Sequence, residues 1–441
     1  MLSRADNDLL TQTGRGTPMG ELFRRFWLPV LVSQELPEVD GPPVRVRMLG
    51  EDLIAFRDSN NRIGLIEPQC AHRGANLFFG RNEAGGIRCI FHGWKYDVTG
   101  ACLEMPNVPQ DANYERLRGQ MTLASYPTAE FGDYIWAYMG PGEPPPLPEM
   151  EFGLVPGMQR FVSKKLQQCN WAQALEGALD TAHFTFLHTS LGDEEALAVM
   201  GRSEAAASGD ADRVRWLRED GIPRFSTTTH DAGVALGAAR KASLGQTYWR
   251  ISQFMLPSHT LVPSTFLGEN YHGQTFVPID DTSCWIYCYT WNPERPLTDV
   301  ERERYRGGHT VHANVDERWV PYRNRDNDYL IDRVEQKHHS FTGIAGVSEQ
   351  DAAAQDSQGL IADRTREHLG VTDVGLIQFR KCAMDAARDV VAGREPLAAR
   401  RPDAYRIRGG GCVAPEATPF PEVMTGRFGN PLGLVEGERV R

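Results

Sequence analysis

Three features are scarce or missing in this sequence, and each absence excludes a class of protein. Eight cysteines in 441 residues are too few for a disulfide-stabilised scaffold. No apolar run approaches the roughly 20 residues of a membrane-spanning helix, and the N-terminus lacks the basic and apolar segments of a signal peptide. Basic residues are outnumbered, with 47 Lys and Arg against 58 Asp and Glu, so the composition disfavours nucleic-acid and membrane partners. We therefore expect a cytoplasmic protein with neither kind of partner.

What is present divides the chain into regions of different pattern. At roughly 150 residues per domain, the length allows two or three domains. Short alternating runs predict a small all-β unit over residues 27–139, with a hairpin turn at 58–61. The proline-rich stretch 140–150 cannot continue a strand or a helix interior, which predicts a linker. Helix-like and strand-like segments then mix through residues 151–441, so the expected fold class is α+β, with a β domain before a larger α+β domain.

Two further segments carry local predictions. Residues 1–26 are interpreted as a polar lead-in followed by one short helix over 18–26, capped by Thr17. The aromatic run that contains Cys284 and Cys288 predicts a core strand with two buried thiols.

The remaining cysteines of interest occur in two short loops that share a design. Cys70 and His72 form C-x-H, and after sixteen intervening residues Cys89 and His92 form C-x-x-H, with a glycine after each loop's ligands. A Rieske cluster needs two thiolates on one iron and two imidazoles on the other, and each loop offers one of each. A structural zinc site also uses two cysteines and two histidines, but zinc fingers place the cysteines together and the histidines together. The alternating order therefore favours a [2Fe–2S] Rieske cluster.

A second group of candidate ligands follows the linker. Asp180 and His183 are three residues apart and share a helix face, whereas His188 lies about 140° further round an ideal helix. Both imidazoles can reach one metal only if the helix is distorted or ends between them. Two histidines and one carboxylate suit a non-haem Fe(II) that binds O2, although the sequence alone does not single out the carboxylate. The spacing of the two histidines is by itself a weak indication of a metal site, and the Rieske cluster pattern upstream strengthens it.

With both groups in place, the chain resembles the large (alpha) subunit of a Rieske non-haem iron aromatic-ring-hydroxylating oxygenase over nearly its full length. It is most similar to the phthalate dioxygenase branch, through residues 16–27 and 361–365. Ala71 stands where the family usually has proline. The resemblance implies an N-terminal all-β Rieske domain and a C-terminal helix-grip catalytic domain, in which helices pack on an antiparallel sheet.

The resemblance also implies roles for individual residues. The [2Fe–2S] cluster would be held by Cys70, Cys89, His72 and His92. The mononuclear Fe(II) would be held by His183, His188 and Asp351, with Asp356 and Asp363 as nearby alternative carboxylates.

Asp180 is assigned a different part. In this family the matching aspartate links a cluster histidine of one subunit, here His92, to an iron-ligand histidine of the next, here His183. A carboxylate suits that part because it accepts hydrogen bonds from both imidazoles. Close approach of the two centres by head-to-tail packing predicts a homotrimer, or two stacked trimers as a homohexamer.

The implied activity is oxygenation of an aromatic carboxylic acid such as phthalate or a related benzoate. The chain has no FAD or NAD fingerprint, so we expect electrons from a separate NAD(P)H-dependent flavin and iron–sulfur reductase. Arginine is the natural partner of a carboxylate, and residues 237–241 resemble a substrate-proximal segment of the phthalate branch. The resemblance therefore implies Arg240 first and Arg202 second as substrate ligands. The alternatives are an O-demethylase or other monooxygenase on the same scaffold, and an electron-transfer Rieske protein without catalysis.

Other candidates are set aside. The histidine pairs His309/His312 and His338/His339 lie in strongly charged surroundings, which predicts solvated side chains. The glycine run at 409–411 lacks the strand-to-helix context of a phosphate loop and is interpreted as a flexible turn.

Overall fold

The computed structural model of this chain describes residues 1–189, 191, 215–217, 219–263 and 269–429. Its first ten strands form three small antiparallel sheets, ordered β1-β10-β9, β2-β3-β4 and β5-β6-β7-β8. Their bounds are β1 (Trp27–Val32), β2 (Val44–Met48), β3 (Glu51–Arg57), β4 (Ile63–Ile66), β5 (Arg81–Glu83), β6 (Gly86–Arg88), β7 (Lys95–Tyr96), β8 (Cys102–Glu104), β9 (Thr128–Phe131) and β10 (Tyr134–Tyr138). The predicted hairpin turn at 58–61 lies between β3 and β4.

The second half of the chain is built on one large antiparallel sheet. Its order is β11-β17-β16-β15-β14-β13-β12, with β18 also paired to β14. The bounds are β11 (Arg160–Gln167), β12 (Arg224–His230), β13 (Gly233–Lys241), β14 (Gln246–Met255), β15 (His259–Leu261), β16 (Tyr271–Asp280), β17 (Ser283–Trp291) and β18 (Gly410–Pro415). The aromatic run at 283–291 is therefore a core strand, and the thiols of Cys284 and Cys288 are fully buried as predicted.

Helices precede the first sheet and cover the large one. In chain order they are α1 (Arg4–Thr11), α2 (Pro18–Arg24), α3 (Tyr114–Gln120), α4 (Glu151–Leu154), α5 (Trp171–Leu179), α6 (Phe184–Leu187), α7 (Asp299–Arg306), α8 (Arg333–His338), α9 (Val347–Asp356), α10 (Val374–Val391), α11 (Leu397–Arg400) and α12 (Phe420–Arg427). None of the helices in these described ranges is long and apolar enough to cross a bilayer. A β region followed by a sheet with packed helices is the predicted α+β arrangement.

Helix α5 positions the site and is anchored at its N-terminal end. Asn170 caps it by accepting a hydrogen bond from the Ala172 N–H at 3.1 Å. The ring of Trp171 packs edge-on against Phe23 and Phe379, 4.9 Å and 6.0 Å between centres. The helix is therefore fixed between α2 on one side and α10 on the other.

A buried ion-pair network also holds α5 in place. Glu176 of α5 accepts from Arg364 at 2.9–3.0 Å and from Arg380 at 2.7 Å, and Arg380 also pairs with Glu367. Burial alone would raise the pKa of Glu176, but the two guanidinium groups outweigh it and lower that pKa. Arg364 belongs to the 361–365 stretch that carried the family resemblance, so this stretch contributes through packing rather than chemistry.

The N-terminal prediction was incomplete. The structure has two helices in residues 1–26, and α2 ends at Arg24 rather than at residue 26. Thr17 caps α2 as expected, since its hydroxyl accepts from the Gly20 N–H at 3.2 Å. The polar helix α1 was missed because its partners are distant: Asp6 pairs with Arg388 of α10 at 2.6 Å.

Two of the candidates set aside were also misplaced. His312 is fully buried rather than solvated, with Ser163 Oγ at 2.7 Å from Nδ1 and Thr290 Oγ1 at 2.9 Å from Nε2. The charged residues around it in sequence point elsewhere. Gly410 and Gly411 lie in β18 opposite Ile251 and Arg250, so the glycine run is part of a strand and not a flexible turn. His338 and His339 are exposed, as predicted.

Candidate metal centres and active site

The two cluster loops have the same backbone design. In each loop the cysteine carbonyl accepts from the glycine N–H four residues later, Cys70 from Gly74 at 2.8 Å and Cys89 from Gly93 at 3.0 Å. Both glycines have positive φ, +71° and +77°, which other residues rarely adopt. Each turn folds the chain back, so that the histidine and the cysteine of one loop face the same space.

The four candidate ligands converge. Cys70 and Cys89 are buried, and the rings of His72 and His92 lie 4.5 Å apart between centres. Burial raises the pKa of the Cys70 thiol, and the neighbouring Cys89 raises it further. His92 Nδ1 is buried without a hydrogen-bond partner among the described residues. Two adjacent thiols, two adjacent imidazoles and an orphaned ring nitrogen match the two-plus-two donor set of a Rieske cluster.

Tyr96 is part of this site and was not predicted. Its hydroxyl oxygen accepts from the Ala71 N–H at 3.1 Å and lies 3.3 Å from Cys70 Sγ. Since the amide uses an acceptor position, the hydroxyl hydrogen is free to point at the sulfur. A proline at position 71 would have no N–H to give, so the departure from the family pattern adds a contact rather than removing one.

The second site begins where α5 ends. Asp180 has extended backbone angles, and the one-turn helix α6 then lies between His183 and His188, which flank its two ends. The two histidines therefore do not share one continuous helix, because α5 ends at Leu179, before His183, and α6 ends at Leu187, before His188. Their rings meet edge-on with 5.2 Å between centres, which a continuous helix would not allow.

Asp351 of α9 completes this group. Its Oδ1 lies 3.1 Å from His188 Nε2 and 3.4 Å from His183 Nε2, and the three ligand atoms lie within 4.8 Å of one another. The described residues contain one such group. Of the alternative carboxylates, Asp356 accepts from Tyr329 and Asp363 from Thr365, so neither meets the imidazoles. The structure therefore brings together the triad that the resemblance implied.

Hydrogen bonds hold both imidazoles with the same nitrogen facing inward. His188 Nδ1 lies 2.6 Å from Gln350 Oε1, and His183 Nδ1 lies 3.3 Å from Asp180 Oδ2. These oxygens only accept, so each Nδ1 is a protonated donor and each Nε2 faces Asp351. Burial alone would raise the pKa of Asp351, but His188 and then His183 lower it, which keeps the carboxylate ionised. Two imidazoles and one carboxylate at these distances suit a divalent iron.

Asp180 lies beside His183, the histidine that it is predicted to link to His92 of another subunit. It contacts His183 as described, and its Oδ1 also accepts from the Ala182 N–H at 2.7 Å. The side chain is 26% exposed, so one face of the carboxylate is open to solvent in the single chain. Exposed apolar side chains flank both centres: Ile90 and Phe91 beside His92, and Phe186 between the two iron-site histidines.

Of the two candidate substrate arginines, the structure describes Arg240 but not Arg202. Arg240 lies on β13 and is 1% exposed; Nε donates to the Asp220 carbonyl at 3.1 Å, while Nη1 and Nη2 have no partner in the described part of the chain. Arg202 lies outside the described residues. Sequence reasoning missed Arg250 and Phe184, which meet beside the triad with the guanidinium carbon 4.6 Å from the ring centre. No local signal marks them, because one is a strand residue and the other an ordinary phenylalanine.

Comparison with known proteins agrees with this geometry. A family model described as Rieske [2Fe-2S] domain matches residues 26–127, and one described as LigXa C-terminal domain like matches residues 137–409. The chain belongs to the Rieske non-haem iron oxygenases with this type of catalytic domain, and it is an oxidoreductase of that family. The family's two cofactors are a [2Fe–2S] cluster and a mononuclear iron, and the two donor sets fit them.

Within the family the chain lies in the phthalate dioxygenase branch. It is 36% identical to the phthalate 4,5-dioxygenase oxygenase subunit of Pseudomonas putida, covering 90% of this chain and 89% of the relative. It is 34% identical to the 3-chlorobenzoate-3,4-dioxygenase oxygenase subunit of Comamonas testosteroni (87% and 88%). It is 29% identical to the 5,5'-dehydrodivanillate O-demethylase oxygenase subunit of a Sphingobium species (90% and 83%).

A solved structure supports the fold independently. NdmB of Pseudomonas putida CBB5 superimposes with a TM-score of 0.58 at 19% identity, covering 92% of this chain and 99% of that chain. At that identity the likeness concerns the fold alone. It confirms the predicted order of an all-β domain followed by a sheet covered with helices.

Proposed function

We propose that this chain is the oxygenase component that uses O2 and reductase-supplied electrons to cis-dihydroxylate an aromatic carboxylic acid such as phthalate or a related benzoate. One observation carries the proposal: Arg240, whose buried fork has no partner among the described residues, lies on the same face of the sheet as Arg250, which reaches the histidine–histidine–aspartate triad through Phe184. An iron triad without such an arginine would indicate oxygen chemistry but no acidic substrate. The two together indicate both.

The proposed roles follow from the contacts. Cys70 and Cys89 would hold one iron of the cluster, and His72 and His92 would hold the other. The mononuclear iron is held by His183, His188 and Asp351; when bound, it supplies the redox chemistry that activates O2. Gln350 and Asp180 each accept a hydrogen bond from the Nδ1–H of one histidine, which keeps both Nε2 atoms directed at one point.

Arg240 is proposed to bind the substrate carboxylate. Its fork offers two parallel N–H donors, which match the two oxygens of a carboxylate. Burial is the largest cause that lowers the pKa of this guanidinium, to about 10, so it remains protonated at neutral pH. Removing water from the fork strengthens the contact with an anion. Arg202 remains the second candidate.

The proposed assembly is a homotrimer, or two stacked trimers. Asp180 engages His183 with one side and leaves the other open, and His92 lies beside exposed Ile90 and Phe91. Packing this apolar loop of one subunit against the region of Phe186 in the next would bring His92 to the open side of Asp180. Such a head-to-tail contact closes into a ring.

The proposed electron donor is a separate NAD(P)H-dependent reductase with flavin and iron–sulfur centres. We also propose a cytoplasmic location, which agrees with eight cysteines that are all free thiols. The domain boundaries 1–26, 27–139, 140–150 and 151–441 stay a prediction; in the structure residues 140–150 contain neither helix nor strand.

The deciding experiment measures reductase-dependent O2 uptake across a panel of benzoates and phthalates, with isotopically labelled O2. Two labelled oxygen atoms in one product support cis-dihydroxylation. One labelled atom, or release of formaldehyde from a methoxylated acid, supports the monooxygenase or O-demethylase alternative, which the 29% identical relative also favours. In a His183→Ala variant, loss of turnover with an intact cluster spectrum excludes a purely electron-carrying role.

A further inference from the structure

A cavity of about 280 Å³ lies beside α9, apart from the candidate iron site. The end of β11, residues from the segment 313–329 and α9 form its walls, and none of the three iron-site residues lines it. Ser348, Ala352 and Asp356 of α9 are spaced by four residues, so they share the face that borders the cavity. Asp351 of the same helix is directed instead at the two histidines. A molecule in the cavity would contact the helix that carries Asp351 without touching the triad.

Two carboxylates in the cavity wall each have an oxygen without a hydrogen-bond partner among the described residues. These atoms are Glu349 Oε2 and Asp356 Oδ1, and the two residues are only 3% and 4% exposed. A buried carboxylate oxygen that accepts no hydrogen bond is unfavourable, so both atoms need a donor. Seven residues along α9 separate the two Cα atoms by about 10 Å, which is too far for both carboxylates to hold one metal ion. A single ligand that satisfies both must therefore carry donors at two ends.

The two ends of the cavity differ in charge. Near Glu349, the buried ammonium of Lys165 donates to Ser348 Oγ, so a positive charge already lies beside that carboxylate. Asp356 accepts from the neutral hydroxyl of Tyr329, and no described lysine or arginine lies within ion-pair distance of it. The buried wall thus contains two carboxylates and one ammonium. It lacks one positive charge at Asp356 and a neutral donor at Glu349.

The middle of the cavity is apolar. Ala352 lies between the two carboxylates on α9, and Val320 and Pro321 also line the space. The alanine methyl group leaves room for a short hydrocarbon chain and offers it no hydrogen bond. From one end to the other, the wall therefore presents a carboxylate, an apolar surface, and a second carboxylate with an ammonium beside it.

Three further charged side chains line the more exposed part of the cavity. Arg318 and Asp326 are exposed, Arg323 is half-buried, and Arg318 pairs with Asp316 at 3.3 Å. Charges in contact with water are screened, so they act more weakly on a bound molecule than the buried groups do. The buried carboxylates therefore decide which charge the cavity favours.

We propose that this cavity is a second ligand site, which binds a small amphiphilic amine. The ammonium of the ligand donates to Asp356, its hydrocarbon chain packs on Ala352, and a neutral hydroxyl at its other end donates to Glu349. A second ammonium at that end would be repelled by Lys165. The site is independent of the proposed oxygenase function, because neither its residues nor its ligand chemistry are those of the triad and Arg240.

The test uses the iron-loaded full-length protein and measures three dissociation constants by calorimetry, those of 5-aminopentan-1-ol, pentylamine and pentane-1,5-diol. We expect the amino alcohol to bind about tenfold or more tightly than either of the others. Pentylamine lacks the hydroxyl that would meet Glu349, and the diol lacks the ammonium that would meet Asp356.

Two variants of α9 locate the binding. Asp356→Asn removes the charge but keeps an acceptor for Tyr329, so the amino alcohol should bind about 30-fold more weakly and no better than the diol. Ala352→Leu fills the apolar middle without changing any charge and should abolish binding. Ala354→Leu is the matched control, because this position of the same helix is exposed and does not line the cavity. It should leave the dissociation constant within about twofold of the wild type.

The competing explanation is that the cavity holds only water. No binding of the amino alcohol at millimolar concentration would establish that explanation and overturn the proposal. Binding that survives Ala352→Leu, or that Ala354→Leu weakens equally, would place the ligand elsewhere. Equal affinities for the amino alcohol and the diol would refute the ammonium contact, and equal affinities for the amino alcohol and pentylamine would refute the hydroxyl contact. If one of the two variants does not fold, the other decides alone.

Discussion

The two candidate metal sites of this protein are assembled from the chain in opposite ways. Each cluster loop is closed by a backbone hydrogen bond from the glycine N–H to the carbonyl of the cysteine four residues earlier. The two loops follow one another along the chain. The iron site instead combines two histidines that flank one short helix with an aspartate from α9. Gln350, which precedes that aspartate, lies 162 residues from the histidine it holds.

The difference has a consequence for how each site responds to damage. A site formed by neighbouring loops depends on local turns, so distant substitutions should leave it intact. A site formed by segments far apart in the chain depends on the packing of α5, α6 and α9, and on the residues that orient its histidines.

The largest expected effect separates the two sites completely. Purified protein should carry about three irons per chain, two in the cluster and one mononuclear, with visible thiolate-to-iron absorption. Cys89→Ala should abolish the colour, whereas His188→Ala should keep the colour, lose one iron and lose turnover. Metal analysis and absorption spectra check both variants. Colourless protein with stoichiometric zinc would refute the cluster assignment.

Asp180→Asn should break communication between the sites and leave both intact. The amide still contacts His183, but it cannot accept from two imidazoles as a carboxylate does, so electron transfer from cluster to iron should slow about 100-fold. Single-turnover kinetics with pre-reduced protein measure this rate. Asp363→Asn is the matched control, because that exposed carboxylate lies away from both sites. Full single-turnover activity of Asp180→Asn, or an active monomer at low concentration, would contradict the proposed ring.

Gln350→Leu should weaken the iron site alone. The substitution removes the acceptor of His188 Nδ1 in a side chain of similar size, so the imidazole loses its fixed orientation. Iron affinity should fall about tenfold, measured by competition with a chelator. The control is Gln358→Leu, an exposed glutamine just beyond the same helix. A change in the cluster spectrum of Gln350→Leu would show that the two sites are not independent.

The smallest expected effect concerns the cluster loops. The Tyr96 hydroxyl, 3.3 Å from Cys70 Sγ, stabilises the more negative, reduced cluster, and Tyr96→Phe removes this hydroxyl. The midpoint potential should fall by about 30–60 mV, with iron content unchanged. Tyr114→Phe in the same domain is the control, because its hydroxyl meets the Met105 amide and no thiol. An equal potential in both variants would remove Tyr96 from the tuning of the cluster.

The cluster ligands were predictable because the cysteine and histidine of each loop are only two or three residues apart, so local backbone turns bring them together. With a glycine at positive φ after each ligand pair, the sequence pattern dictates where cysteine and histidine point. That His183 and His188 do not share one continuous helix was predictable for the same reason, since helical periodicity forbids both facing one metal. Tyr96 was not predictable, because nothing in its local sequence distinguishes a hydroxyl that meets a sulfur.

The misplacements have a common cause. Helix α1 is polar by itself and is stabilised by α10 far along the chain, and His312 lies in a charged segment yet points between two strands. Neighbours in sequence predict the surroundings of a side chain only when local contacts dominate. In both cases contacts with distant strands or helices dominate.

By itself, the sequence determined the order of the domains, the cluster loops and the two histidines of the second site, because these depend on spacing within short segments. The family resemblance implied Asp351, but only the tertiary structure showed that it, rather than the nearby Asp356 or Asp363, meets the two imidazoles. It also placed Arg250 beside Arg240 through the register of two strands. The physical reason is that a carboxylate or a guanidinium acts at the end of a side chain, and where that end lies depends on how separate segments pack.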